Sequence, residues 1–190
     1  CIESGVRTLY WQCCDSDVPI YVCETNIRSN ALLDNYDTMV PPIVSRTEPL
    51  DVTVQIEYQT IEDLNVQAGT ITVFLTITLI WIDPRLAWDV SNRTTCAGVV
   101  SYWASLDKEQ TDIWVPDFDL YNQVEGVDKL TDTRASVYSD GTVIWSRNGG
   151  LKAICQFVGL AQIPFDTLGC QLIMGPWTRV NPSMIRFQFD

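Results

Sequence analysis

Apolar and polar residues alternate most regularly between Thr70 and Ile82. There Ile71, Val73, Leu75, Ile77, Leu79 and Trp81 fall on one parity, and Thr70, Thr72, Phe74, Thr76 and Thr78 on the other. A period of two sends successive side chains to opposite faces, so the segment predicts a long strand with one apolar and one threonine-rich face. Such a strand belongs in an antiparallel sheet packed on one side. Val52, Val54, Ile56 and Tyr58 repeat the pattern, and further strands are expected around 98–103, 134–138, 142–146, 155–163, 170–174 and 184–189. Asp140-Gly141 and Asn148-Gly149-Gly150 supply turn signals between them. The one helical pattern covers 25–36, with Thr25 as N-cap and Ile27, Ala31 and Leu32 on one side, closed by Pro41-Pro42. Many short strands and almost no helix predict an all-β chain, an immunoglobulin-like twisted β-sandwich with a short N-terminal helix.

Composition narrows the function classes. The 190 residues suffice for one domain with a substantial core, divided here into a cysteine-rich extension over 1–24 and a sandwich over 25–190. Twenty-four acidic against 12 basic residues give a net charge of −12, which excludes a nucleic-acid partner because no basic surface is available to displace counterions. The Thr70–Ile82 run is too short, and too rich in threonine, to cross a membrane as a helix. There is no histidine, so no Ser-His or Cys-His nucleophile is available, and no glycine motif cradles a phosphate. Asp117 and Asp119 share one strand face as turn or interface groups. An enzyme is not expected, nor a cofactor, nor a metal site.

Seven cysteines, at 1, 13, 14, 23, 96, 155 and 170, without any Cys-x-x-Cys pair point to disulfides in an oxidising compartment. The pairing among Cys1, Cys13, Cys14 and Cys23 is open, and Cys96 either joins that cluster, stays free or bridges to another chain. Asn92-Arg93-Thr94 is a glycosylation acceptor, whereas Asn181-Pro182-Ser183 is blocked by its proline. No leader is visible before Cys1, and one is expected to have been removed.

Five segments in order carry a resemblance. They are Leu32-Leu33-Asp34-Asn35-Tyr36 with Val40-Pro41-Pro42, Trp81-Ile82-Asp83-Pro84-Arg85-Leu86-Ala87-Trp88, Trp114-Val115-Pro116-Asp117-Phe118-Asp119-Leu120-Tyr121-Asn122, Asp140-Gly141-Thr142-Val143-Ile144-Trp145, and Cys155 through Pro164-Phe165-Asp166 and Cys170 to Gly175-Pro176-Trp177-Thr178. Together they resemble the extracellular ligand-binding domain of nicotinic-type Cys-loop receptors, the pentameric ligand-gated ion channels, over roughly residues 30–180. Two departures stand out. Cys155 and Cys170 enclose fourteen residues, one more than the family's loop. The chain also stops at Asp190, before the last two strands, the ligand-capping loop and the membrane helices, so residues 1–190 alone are expected to bind small agonists weakly.

The resemblance implies a disulfide between Cys155 and Cys170 and an agonist site between two subunits, inside a box of aromatic rings. Tyr121 and Trp177 fall on its principal face, while Trp81, Trp88, Trp114 and Trp145 are expected to pack the sandwich or its ends. Arg179 stands where many nicotinic subunits have tyrosine. Turned into the pocket, its guanidinium would favour a carboxylate over a cationic agonist; turned to solvent, it would do neither. On the complementary face the matching positions are Thr76, Thr78, Ile144 and Ser146. The threonines either line a subunit interface or are simply solvated. The implied partners are a small neurotransmitter-like ligand, identical or homologous subunits in a pentamer, and a transmembrane channel domain, on the extracellular side of the plasma membrane. A soluble, secreted acetylcholine-binding-type protein without a channel is the alternative. A generic immunoglobulin-like adhesion domain is disfavoured, since the Cys155–Cys170 spacing lacks the Cys…Trp…Cys frame.

Overall fold

The structure, a computed structural model, describes residues 18–29, 33–45, 47–91, 97–126, 129–157, 169–176 and 184–190. It has the expected β-sandwich class, with one short helix ahead of the strands. The strands are β1 (Leu50–Asn65), β2 (Thr70–Ile82), β3 (Val99–Ala104), β4 (Asp119–Leu120), β5 (Gln123–Glu125), β6 (Thr133–Tyr138), β7 (Thr142–Ile154), β8 (Met174–Gly175) and β9 (Ile185–Phe189). The larger sheet runs β3-β6-β7-β2-β1-β9, with β5 paired to β7 beside that path, and β4 pairs with β8 in a second sheet. The pairings β4–β8, β5–β7 and β6–β7 are antiparallel, but β1 and β9 are parallel, with Leu50 opposite Ile185 and Val54 opposite Phe189. The larger sheet is therefore mixed and not purely antiparallel as expected. Strands this far apart in sequence are free of the hairpin that forces antiparallel pairing.

The chain divides into two units, one made of Cys1–Val44, Ile80–Val115 and Arg134–Trp145, the other of Ser45–Leu79, Pro116–Thr133 and Ser146–Asp190. The first contains the helix, α1 (Ile20–Ser29). It starts five residues before the expected cap, directly after Pro19, whose fixed φ suits a helix start and whose carbonyl accepts from Val22 N at 2.9 Å. Thr25 therefore lies inside the helix, its hydroxyl turned back to Tyr21 O at 2.7 Å. Cys23 and Ile27, one turn apart, form its buried side, and Cys23 is disulfide-bonded. Residues 33–36, expected as the helix's end, are turn, while Ala31 and Leu32 lie outside the described residues. Arg28 stacks over the Tyr102 ring at 5.5 Å and donates to Ser101 O, tying α1 to β3.

The same unit encloses Trp81 against Trp114, edge to face at 5.9 Å, with Trp145 also buried. Trp88 is half-buried and donates from its indole to Ala97 O. Asp83 is fully buried and accepts from the Tyr36 hydroxyl (2.6 Å) and from Arg85 through its backbone N (3.1 Å), Nε (2.9 Å) and Nη2 (2.7 Å). Arg85 continues to Val40 O, and Trp114 N donates to the Tyr36 hydroxyl at 2.9 Å. The Asp140-Gly141 turn closes onto this knot. Asp83 N donates to Gly141 O, and a Cβ at Gly141, which holds a φ of 87°, would stand 2.6 Å from Asp83 O.

Burial, then the hydrogen bond to Asp83 and its charge, push the Tyr36 phenol above its ordinary value of 10.0. The folded state thus holds this proton more tightly than the unfolded chain does. The resulting stability is complete below pH about 10 and is lost as pH rises beyond it. We expect Tyr36→Phe to flatten the decline of stability between pH 9 and 11, measured by chemical denaturation across that range. A residual slope from Tyr102, raised first by burial, should persist in the variant.

In the second unit, β2 buries its odd positions Ile71 through Leu79 while its threonines stay half-exposed, as the alternation predicts. β1 departs from its pattern. Val52 and Val54 are buried, but every side chain from Gln55 to Asn65 is exposed, Ile56 and Tyr58 included. β7 runs straight through Asn148-Gly149-Gly150, where a turn was expected, and ends at Ile154 with Leu151 and Ala153 buried. Those glycines allow close approach and do not turn the chain, since a Cβ on Gly149 would meet Leu130 Cδ2 at 3.1 Å. Residues 155–157 are accordingly not strand, the remainder of the expected 155–163 strand lies outside the described residues, and of the 170–174 region only Met174, continued by Gly175, is strand. Phe118 packs on Phe187 (5.3 Å), and Arg186 forms a two-pronged ion pair with its register partner Asp51, securing β9 to β1.

Candidate functional site

Tyr121 and Asn122 follow β4, which delivers them by alternation: Leu120 is fully buried, so the next side chain points outward, and Tyr121 is 47% exposed. Two bonds fix that tyrosine. Its N–H donates to Ile173 O at 2.7 Å, and its hydroxyl donates to Pro176 O at 2.7 Å. The phenol proton is thereby committed to a backbone carbonyl, so the ring face is what remains to offer a ligand. An electron-rich face suits a quaternary or protonated amine.

Asn122 is the residue that sequence reading passed over, although it ends the W-x-P-D-x-x-L-Y-N segment. Its amide donates to Ile154 O and Gln171 O, both at 2.8 Å, and its carbonyl oxygen accepts from Ile173 N at 3.0 Å. Three of its four hydrogen-bonding positions are thus used on backbone. Beside it Cys155 and Cys170 are joined in a disulfide with Cα atoms 5.1 Å apart, and Cys155 N donates to Gly69 O in the β1–β2 turn. The 169–176 segment is therefore held at one end by a covalent bond, in its middle by Asn122, and at the far end by Tyr121.

On β2, Thr76 accepts from Gln59 Nε2 at 3.1 Å, and the Thr78 and Ser146 hydroxyls are 2.8 Å apart. Thr133 adds a bond from its hydroxyl to Ser146 O at 2.6 Å. The structure thus brings Thr78 and Ser146 together and gives Thr76 a neighbour, Gln59, that no motif marked. Ile144 shares the strand parity of Ser146 on β7, is half-buried, and stands opposite Ser136 in β6. Trp177 and Arg179, expected on the principal face, and Asn92, the expected glycosylation acceptor, lie outside the described residues. So do Cys1, Cys13, Cys14 and Cys96. Among the described residues no cluster of acidic or cysteine side chains could hold a metal ion, and no helix is long and apolar enough to cross a membrane.

The family model for the neurotransmitter-gated ion-channel ligand binding domain matches residues 26–190. The chain is 29% identical over 150 residues to the neuronal acetylcholine receptor subunit alpha-9-I of Oncorhynchus mykiss, a match covering 78% of this chain and 25% of that protein. It is 30% identical over 148 residues to the acetylcholine receptor subunit alpha-type unc-38 of Caenorhabditis elegans, covering 77% and 27%. With the acetylcholine receptor subunit beta-like 2 of Drosophila melanogaster it shares 29% over 148 residues, again 77% and 27%. The chain spans about a quarter of the length of these relatives.

Proposed function

This chain belongs to the neurotransmitter-gated ion-channel ligand-binding domain family, and from that premise we propose that it is the extracellular agonist-binding domain of a pentameric ligand-gated channel. Residues 25–190 form the binding sandwich and 1–24 a cysteine-rich extension before it. The agonist sits between subunits. One subunit contributes Tyr121 and Trp177, with Arg179 beside them, and its neighbour contributes Thr76, Thr78, Ile144 and Ser146. The observation that carries this reading is Tyr121: half-exposed, its hydroxyl spent on Pro176 O, its ring held as a face. The net charge of −12 favours a cation near the surface. Asn92 carries a glycan on the same extracellular side.

Ligand binding alone opens nothing. The agonist must bind the open form more tightly than the closed one, and moving a pore from 1% to 99% open takes a differential of about 5.5 kcal/mol in total. Spread over five equivalent sites, that is about 1 kcal/mol each. A small change in how a ring contacts a cation between the two forms supplies energy of this order.

The test is to express the complete coding sequence that contains this chain and to measure acetylcholine binding and agonist-evoked current at the cell surface. Binding with current supports the proposal. Binding to a secreted product with no current favours the soluble acetylcholine-binding-type alternative. Failure to bind acetylcholine alongside binding of a carboxylate agonist would turn attention to Arg179. Within the receptor reading, Tyr121→Ala is expected to weaken acetylcholine binding about thirtyfold, matching a desolvated cation–π contact of about 2 kcal/mol. Tyr121→Phe, which keeps the ring, should lose distinctly less.

A further inference from the structure

We propose that Gly175 is a positioning residue for Tyr121, leaving the space in which the tyrosine ring lies against the β8 backbone and reaches Pro176 O. Gly175 is buried and stands opposite Asp119 in the β4–β8 pair, and Tyr121 comes two residues after Asp119, just past the end of β4. A Cβ at this position would be 2.6 Å from the Tyr121 hydroxyl oxygen, 3.1 Å from its Cζ and 3.2 Å from its Cε2. All three nearest atoms belong to that one ring.

Conformation does not explain the glycine. Gly69 and Gly141 hold φ angles of 63° and 87°, in the region other residues avoid, whereas Gly175 does not. An alanine there would keep its backbone and its pairing with β4, so the conflict falls on the ring. The ring cannot shift and keep its bonds, because its backbone N–H is tied to Ile173 O while its hydroxyl is tied to Pro176 O. Its exposed side gives it an exit toward solvent. A methyl group at 175 therefore turns the ring out and breaks the hydroxyl bond while leaving the fold in place. One missing side chain on β8 sets the angle at which a ring just beyond the neighbouring strand meets its ligand. The functional half of this inference rests on the reading of Tyr121 as a ligand-facing ring; the steric half does not.

The test uses two readouts. The full chain is labelled with 3-fluorotyrosine, and the Tyr121 fluorine resonance is identified by its loss in Tyr121→Phe. Gly175→Ala is expected to move that resonance to the position of an exposed tyrosine and to leave the other tyrosine signals where they are. In the complete protein it is expected to lower acetylcholine affinity about tenfold, as misplacing a contact group does. The added loss should shrink in a Tyr121→Phe background, where the nearest clashing atom is gone. An unmoved Tyr121 resonance overturns the proposal whatever the ligand is. A moved resonance with unchanged affinity, when Tyr121→Ala does weaken binding, overturns its functional half. If neither Gly175→Ala nor Tyr121→Ala alters binding while the resonance moves, the steric role stands and the ligand-site reading falls. Should Gly175→Ala fail to fold, the double variant with Tyr121→Phe must recover folding; otherwise the glycine serves the backbone and the proposal is wrong.

Discussion

Asp83→Ala is expected to lower Tm by about 6–12 °C. The carboxylate is fully buried and accepts four hydrogen bonds, one from Tyr36 and three from Arg85. Truncation leaves a phenol and a guanidinium facing an apolar gap, and stranding one partner of a buried ion pair costs about 3–5 kcal/mol. Arg85 retains 31% of its side-chain exposure, so water recovers part of the loss and the lower end, about 3 kcal/mol, applies. For a chain of this size each kcal/mol corresponds to about 2–4 °C in Tm. Asp83→Asn keeps the volume and one acceptor but points an amide N–H at a cation, so it should fall between the two. Thermal denaturation followed by circular dichroism reads the effect. A Tm for Asp83→Ala within about 2 °C of the parent would show that this knot is ornamental to stability.

That knot also shows what kind of information a sequence carries. Trp81 to Trp88 is legible as a motif, and the β2 alternation is legible because burial on one face imposes a period that side-chain chemistry must follow. The Asp140-Gly141 turn is legible because a positive φ selects glycine. The partnership of Asp83 with Tyr36 is not, since 47 residues separate them and nothing local marks either as the other's neighbour. The same limit explains the errors. Asn148-Gly149-Gly150 reads as a turn because glycine serves both turns and close approach, and only the neighbouring Leu130 decides between them. The helix is expected from a weak apolar pattern and a threonine, while Pro19, six residues ahead of that threonine, sets the actual start. At the candidate site, the motif singles out Tyr121 as a candidate, and the structure gives it a half-exposed ring bonded to Pro176 O. Asn122, Gln59 and Gly175 act through backbone carbonyls, a side-chain amide and empty space, none of which leaves a pattern along the chain.

The second large effect is expected where those unseen contacts converge. Replacing Cys155 and Cys170 together by alanine should reduce stability by about 3 kcal/mol, the value for a disulfide closing a loop of about fifteen residues. In Tm this is again about 6–12 °C. The global loss is only half of the argument. With the covalent anchor gone, the 169–176 segment is left to Asn122 and to the bonds between Tyr121 and Ile173 and Pro176. Each is a partly exposed hydrogen bond worth about 1 kcal/mol net. The Tyr121 and Ile173 amides should then exchange with solvent faster than the rise in global unfolding predicts, because the segment opens locally. Asn122→Ala probes the same segment from its other support by removing three bonds at once. Since both supports act on one stretch of backbone, combining the cysteine pair with Asn122→Ala should cost more than the sum of the two. Hydrogen exchange on the three variants separates the possibilities. Strict additivity, with Tyr121 and Ile173 amides tracking global stability, would mean that the disulfide acts only on the unfolded chain and that the ring of Tyr121 does not depend on it.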